Sequence, residues 1–307
     1  MKGNALKLKE NMELRIAGKG DVIEQIIIAL LSDGHVLIED VPGVGKTTLA
    51  KALAESIALS FSRIQCTPDT TPSDITGTSI YDPKEQSFKT VTGPVVSNIV
   101  LVDELNRTSP KTQSALLEVM EENMITIDGD HIKVPEPFMV IGTQNPAEMA
   151  GTYPLPESQL DRFMMKLSVG YPDANASADM AKRYLDGSLS AETTAVLSSD
   201  DILKMQAEVK RVAVQENLCV YAANIAQGTR DAAEVFVGAS PRALLALLRC
   251  AQALAYTSDR NYCIPEDILE AAKLTLPHRL ILTSEAKMSH ISKEDVVNNL
   301  LLKIKVP

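Results

Sequence analysis

The sequence predicts an α/β core with buried parallel strands, followed by a smaller helical domain. Three observations carry this. A strand, a glycine loop and a helix follow one another from Val36 to Ile57; two further apolar runs, Asn98–Glu104 and Phe138–Gly142, end in polar tips; beyond Tyr171-Pro172 the spacing becomes almost wholly helical. The chain has 307 residues, 45% hydrophobic and 23% charged, enough for about two domains whose cores need no disulfide or structural metal.

The first residues, 1–13, are mixed in character and are expected as a poorly ordered tail. Asp21 is placed to cap a helix running to Leu31, with Ile23, Ile26, Ile27 and Leu30 on its apolar face and Gly34 as its stop. Val36 to Glu39 reads as a strand entering a Pro/Gly turn. Leu49, Leu53 and Ile57 then recur at helical spacing. Such a unit gathers backbone N–H groups and a helix N-terminus around an anion. Pro42, Gly43, Val44, Gly45, Lys46, Thr47 and Thr48 are therefore the candidate phosphate-binding residues, Lys46 adding a full charge and Thr47 a hydroxyl for Mg²⁺. The phosphate-loop pattern G-x-x-x-x-G-K-[ST] has glycine where this chain has Asp40. An ordinary strand–turn–helix is the alternative.

Phe61 to Gln65 reads as a second strand. Within the polar stretch after it, Ser79-Ile80-Tyr81 and Ser87 to Thr90 flank a turn at Asp82-Pro83, which fits either a hairpin or a surface loop. The run Asn98 to Glu104 suits a buried parallel strand whose carboxyl end opens on the phosphate site. There Asp103 can hold Mg²⁺ and Glu104 can activate water, unless the two acids only cap the next helix. A helix from Pro110 to Glu122 leads to a hairpin at residues 124–134, signalled by Asp128-Gly129. His131 reads as a solvated strand residue. The run Phe138–Gly142 puts Asn145 at the same crevice, either orienting water or serving as a turn residue before Pro146. Arg162, which could pair locally with Asp161, precedes a last strand from Met164 to Val169.

In the helical part, Ile202, Met205, Val209 and Val212 share one face, as do Leu244, Leu247, Leu248 and Ala251. Ser240 is an N-cap with Pro241 at the first helical position, which sets Arg242 in a first turn within reach of a phosphate. Another helix begins at Ile264-Pro265. Asp186 to Ser190 matches D-x-S-x-S, a metal-site motif of von Willebrand factor A domains. That site needs a strand before the Asp, and Met180 to Leu185 reads as helix, so the match is rejected.

The net charge of −10, with no cluster of Lys and Arg, argues against nucleic acid as a partner. The four cysteines form no C-x-x-C pair and read as reduced thiols of a cytoplasmic protein. No signal-peptide core is evident, and Val22 to Leu31 is too short to span a bilayer, so no membrane insertion is expected.

With Gly45-Lys46-Thr47, Asp103-Glu104, Asn145, Arg162 and Ser240-Pro241-Arg242 in this order, the chain resembles the AAA+ ATPases, and within them the MoxR family. Glu39-Asp-Val-Pro-Gly-Val-Gly-Lys-Thr47, Asp103-Glu-Leu-Asn-Arg107, Lys111-Thr-Gln-Ser-Ala-Leu-Leu-Glu118, Gly142-Thr-Gln-Asn-Pro146, Gly151-Thr-Tyr-Pro-Leu-Pro-Glu157 and Leu160-Asp-Arg-Phe163 are close to that family's wording. Asp40 is usual in it. The similarity covers roughly residues 14–282. It implies an AAA+ core at residues 14–172, a five-stranded parallel sheet with helices on both faces and hairpin inserts near 79–93 and 124–134, then an all-helical lid at 173–307. It implies ATP and Mg²⁺ as cofactors, Lys46, Thr47 and Asp103 as phosphate and Mg²⁺ groups, and Glu104 as the catalytic base. Asn145 matches the sensor, Arg162 the arginine finger and Arg242 the lid sensor. A homo-hexameric ring, a protein client and a von Willebrand factor A partner are implied as well, with metal insertion or complex maturation as the family's business. A nucleic-acid motor and a nucleotide-gated scaffold with incidental turnover are the rival readings.

Overall fold

A computed structural model of the chain describes residues 1–16, 18–146, 152–186 and 194–307. The chain opens with α1 (Gly3–Glu13) and α2 (Gly20–Leu31), then enters β1 (Val36–Glu39), the glycine loop and α3 (Lys46–Ser56). β2 (Phe61–Gln65) and the short α4 (Pro72–Thr76) lead into the antiparallel pair β3 (Gly77–Asp82) and β4 (Ser87–Thr92). Next come β5 (Ile99–Asp103), α5 (Pro110–Glu122), the hairpin of β6 (Met124–Ile127) and β7 (Asp130–Lys133), and β8 (Met139–Gln144). α6 (Glu157–Leu160) and β9 (Met165–Leu167) complete the α/β part. The rest holds α7 (Ala174–Leu185), α8 (Ser199–Val209), α9 (Glu216–Asp231), β10 (Val235–Val237), α10 (Pro241–Thr257), α11 (Pro265–Thr275), β11 (Ile281–Leu282), α12 (Ser284–Met288) and α13 (Lys293–Lys303).

The central sheet has five strands in the order β2-β5-β8-β1-β9, all parallel. Its pleat sorts the apolar runs onto two faces. Val36, Ile38, Ile99, Leu101, Met139 and Ile141 pack with α1, α2 and α3, whereas Leu37, Val100, Val102 and Val140 pack with α5 and the β6–β7 hairpin. The inner strands β5, β8 and β1, buried on both faces, are near-continuous hydrophobic runs, as parallel strands are, whereas the edge strand β2 carries Ser62, Arg63 and Gln65. The two hairpins settle the loop-or-hairpin alternative for residues 79–90 and match the Asp128-Gly129 signal. His131 is exposed, its Nδ1 3.1 Å from Thr126 Oγ1.

Four expectations change. Residues 1–13 are no loose tail: Ala5, Leu8 and Met12 of α1 are buried against α2 and α3, and the Asn11 amide donates to Ser56 Oγ at 2.9 Å. Asp21 lies in the first turn of α2 and makes no capping hydrogen bond, and Asp33 rather than Gly34 takes the left-handed conformation that ends that helix (φ 56°). Gly34 is needed for close approach, since a Cβ there would sit 2.7 Å from Met164 Sδ. The lid is helical but also carries the antiparallel ribbon β10–β11. The rejection of D-x-S-x-S is unchanged, because its Asp186 follows the helix α7; Gly187 to Ser190 lie outside the described residues, as does Gly151.

The lid shares one apolar cluster with the core: α10 lies against α2 and α8, and α8 against α2. Polar ties fix the junction. Asp161 accepts from Ser240 Oγ at 2.8 Å and from Arg279 Nε at 2.7 Å, so the loop before β9 is bound to the N-cap of α10.

Candidate functional site

The parallel order brings the carboxyl ends of β1, β2, β5 and β8 to one crevice. Pro42, Gly43, Gly45, Lys46, Thr47 and Thr48 line one side of a cavity of about 400 Å³; Arg63, Gln65, Asp103, Glu104 and Asn145 line the other. Gly43 and Gly45 have φ of +86° and +90°, and nothing lies within 4 Å of where their Cβ atoms would be. Side chains at both positions would strain the loop and fill its cradle. Lys46 Nζ donates to Asp40 O at 2.8 Å, which holds the ammonium across the loop. Val44 differs from its neighbours, packing its side chain against the core.

Asp40 earns its place by tying the loop down. Its carboxylate accepts from Gly170 N at 2.7 Å, Ser168 Oγ at 3.1 Å and Val41 N at 3.1 Å. Burial works to raise its pKa, but these hydrogen bonds outweigh it and hold the carboxyl below the usual carboxylate range. The loop is thereby joined to the segment leaving β9.

The acids are held by residues that the sequence reading did not single out. Thr143 Oγ1, buried at the end of β8, donates to Asp103 Oδ1 at 2.7 Å and accepts from Glu104 N at 2.9 Å. Arg63 Nη2 lies 2.6 Å from Asp103 Oδ2. Gln65 Nε2 and Arg107 Nη1 both donate to Glu104 Oε2, at 3.1 and 2.9 Å. Glu104 itself has φ 58°, an uncommon conformation for a bulky side chain and of a kind that collects at functional sites. The alternation of Arg63 and Gln65 at the tip of β2 was the available signal, because i and i+2 on a strand face one side.

The residues fit a nucleotide phosphate group with a divalent cation. The cradle is open to an anion, and Thr47 and Asp103 place oxygen donors beside it. No cluster of three His, Cys, Asp or Glu side chains suited to a metal occurs among the described residues, so Mg²⁺ would take its remaining ligands from phosphate and water.

The structure does not bring Arg162 and Arg242 to this cavity. Both line another, of about 260 Å³, between α5, the loop before β9 and α10. Arg162 does not pair with Asp161: its Nη1 lies 2.8 Å from Glu121 Oε2 and donates to Leu117 O at 2.8 Å, while Asp161 is taken by Arg279. Arg242 Nη2 pairs with Glu121 Oε1. The cysteines are unpaired. Burial pushes the Cys66 thiol up to about 12, with Asp103 and Glu104 adding to it, so it offers no nucleophile beside the site. No helix among the described residues is long and apolar enough to cross a membrane.

Residues 35–165 match the ATPase family associated with various cellular activities (AAA), and residues 227–300 match the AAA lid domain. The chain is 41% identical over 301 residues to Chaperone MoxR1 of Mycobacterium tuberculosis, covering 95% of this chain and 79% of that protein. It is 47% identical over 301 residues to the protein YeaC of Bacillus subtilis, covering 98% and 94%. A crystal structure of a candidate ATPase from Cytophaga hutchinsonii superposes with a TM-score of 0.92 at 37% identity, covering 99% and 95%.

Proposed function

The chain belongs to the MoxR family of AAA+ ATPases, and from that premise we propose that it is a Mg²⁺-dependent ATP hydrolase that remodels or matures a protein partner. The observation that carries the chemistry is the convergence of the glycine cradle with Asp103, Glu104 and Asn145 on one cavity. Backbone N–H groups of residues 43–47 and the Lys46 ammonium bind the β- and γ-phosphates. Thr47 and Asp103 would hold Mg²⁺, which would neutralise phosphate charge. Glu104 takes a proton as a water oxygen attacks the γ-phosphorus and the bond to the β-phosphate oxygen breaks. Gln65 and Arg107 aim its carboxylate, and Asn145 orients the water.

Arg162 and Arg242, away from their own phosphate loop, are assigned to a neighbour's nucleotide, which calls for a ring of copies, six of them by the family resemblance. A von Willebrand factor A protein is the expected partner, with metal insertion or complex assembly as the task and the cytoplasm as the place. Exposed Ile80, Tyr81 and Phe88 on the β3–β4 hairpin support a partner-facing insert.

Two variants separate binding from chemistry. Lys46→Ala is expected to lose ATP binding in calorimetry. Glu104→Gln is expected to bind ATP and release phosphate about 10²–10⁴-fold more slowly. Full turnover in Glu104→Gln would remove it from the role of base.

A further inference from the structure

The cavity that holds Arg162 and Arg242 contains a feature that ATP hydrolysis does not call for. Two guanidinium groups, one from the core and one from the lid, close on the two oxygens of a single carboxylate, Glu121. Glu121 is the penultimate residue of α5. The partial negative charge of a helix C-terminus disfavours an acid there. Nearby carbonyls are already engaged, Leu117 O by Arg162 and Met120 O by His35. A carboxylate in that place is held by the arginines, and with its side chain 39% exposed it can swing out to water.

The pairing is also incomplete. Arg162 Nε is buried and has no hydrogen-bond partner. A carboxylate offers two acceptor oxygens, both used, whereas a terminal phosphate offers three and more charge. Arg249 and Arg279 line the same cavity; of its other two acids, Asp161 is committed to Arg279 and Ser240, and Asp33 lies 3.4 Å from Lys210 Nζ. Without Glu121 the cavity would face an incoming anion with unpaired guanidinium groups held at a fixed junction.

We propose that Glu121 is the resident anion of this arginine pair, occupying the place of a phosphate group and displaced when one arrives. Resting on the ring reading above, the natural ligand is the terminal phosphate of a nucleotide held by a second copy of this chain. Glu121 then keeps the two arginines positioned in the free subunit and sets how much nucleotide is needed to engage them.

The test uses Lys46→Ala as background, so that the chain's own phosphate loop does not contribute. Calorimetric titration with inorganic tripolyphosphate is expected to give at least about tenfold tighter binding when Glu121→Gln is added, and the gain is expected to vanish when Arg162→Ala is added as well. Unchanged or weaker binding in Glu121→Gln, or a gain that survives Arg162→Ala, overturns the proposal. A second arm distinguishes the source of the phosphate. With the phosphate loop intact, Glu121→Gln is expected to lower the ATP concentration for half-maximal assembly, read by light scattering, by a similar factor. If tripolyphosphate binding tightens and this midpoint stays put, the displacement stands and the assignment of the arginines to a neighbour's nucleotide fails.

Discussion

His35, just ahead of β1, shows how a single ring can fix the meeting of strand and helix. Its Nδ1 accepts from Val140 N at 3.0 Å, so the proton lies on Nε2, which donates to Met120 O at 3.0 Å. Burial lowers its pKa, and burial with the Arg279 charge lowers that of His278, whose Nε2 donates to Phe163 O at 2.9 Å. Unfolded, both rings titrate near about 6.5. Below that value the unfolded chain binds protons that the folded chain does not, so stability is present above it and is lost as the pH falls. Each ring can contribute a slope of up to about 1.4 kcal/mol per pH unit. Urea unfolding is therefore expected to give a lower stability at about pH 5.5 than at about pH 7.5, with a shallower fall in His35→Gln. A flat profile in the parent chain would contradict the neutral-ring assignment. At this scale the sequence is legible where chemistry is contiguous, as in Gly43 to Thr48 and Asp103-Glu104. Arg63, Gln65 and Thr143 are hidden because only the strand order β2-β5-β8 brings them to those acids.

Among the elements, α1 departs furthest from expectation. Its apolar stripe is only Ala5, Leu8 and Met12, set among Lys and Glu, and a stripe so narrow resembles a solvated segment until its partners are known. Those partners are α2 and α3, and through α3 the helix braces the phosphate loop. Leu8→Ala is expected to cost about 2–5 kcal/mol in urea unfolding, because the side chain is completely buried and its removal leaves a cavity. A loss below about 0.5 kcal/mol, the size typical of a surface substitution, would return α1 to the status of a tail. Two other elements were legible for local reasons. Ser240-Pro241 caps α10 with Ser240 Oγ 3.0 Å from Ala243 N, and Asp128-Gly129 turns β6 into β7. The β10–β11 ribbon pairs Val235 with Leu282 across the intervening lid helices, so no local pattern announces it.

In the whole molecule, the phosphate cavity and the arginine cavity are separate, each holding part of the machinery attributed to one reaction. Asp161 fixes the second cavity to the lid through Ser240 and Arg279, and Asp40 fixes the first to the chain leaving β9. A single copy thus presents a phosphate loop in one place and the guanidinium groups in another, and the proposed account joins them between neighbours. A guanidinium supplied across such a boundary contributes about 10³–10⁵ in rate. The most direct test mixes Arg162→Ala with Lys46→Ala, each of which is expected to hydrolyse little ATP alone. In an equal mixture about a quarter of the boundaries pair an intact phosphate loop with an intact Arg162, and phosphate release is expected to return in that proportion. If labelled subunits exchange freely and the mixture stays inactive, the composite site is wrong.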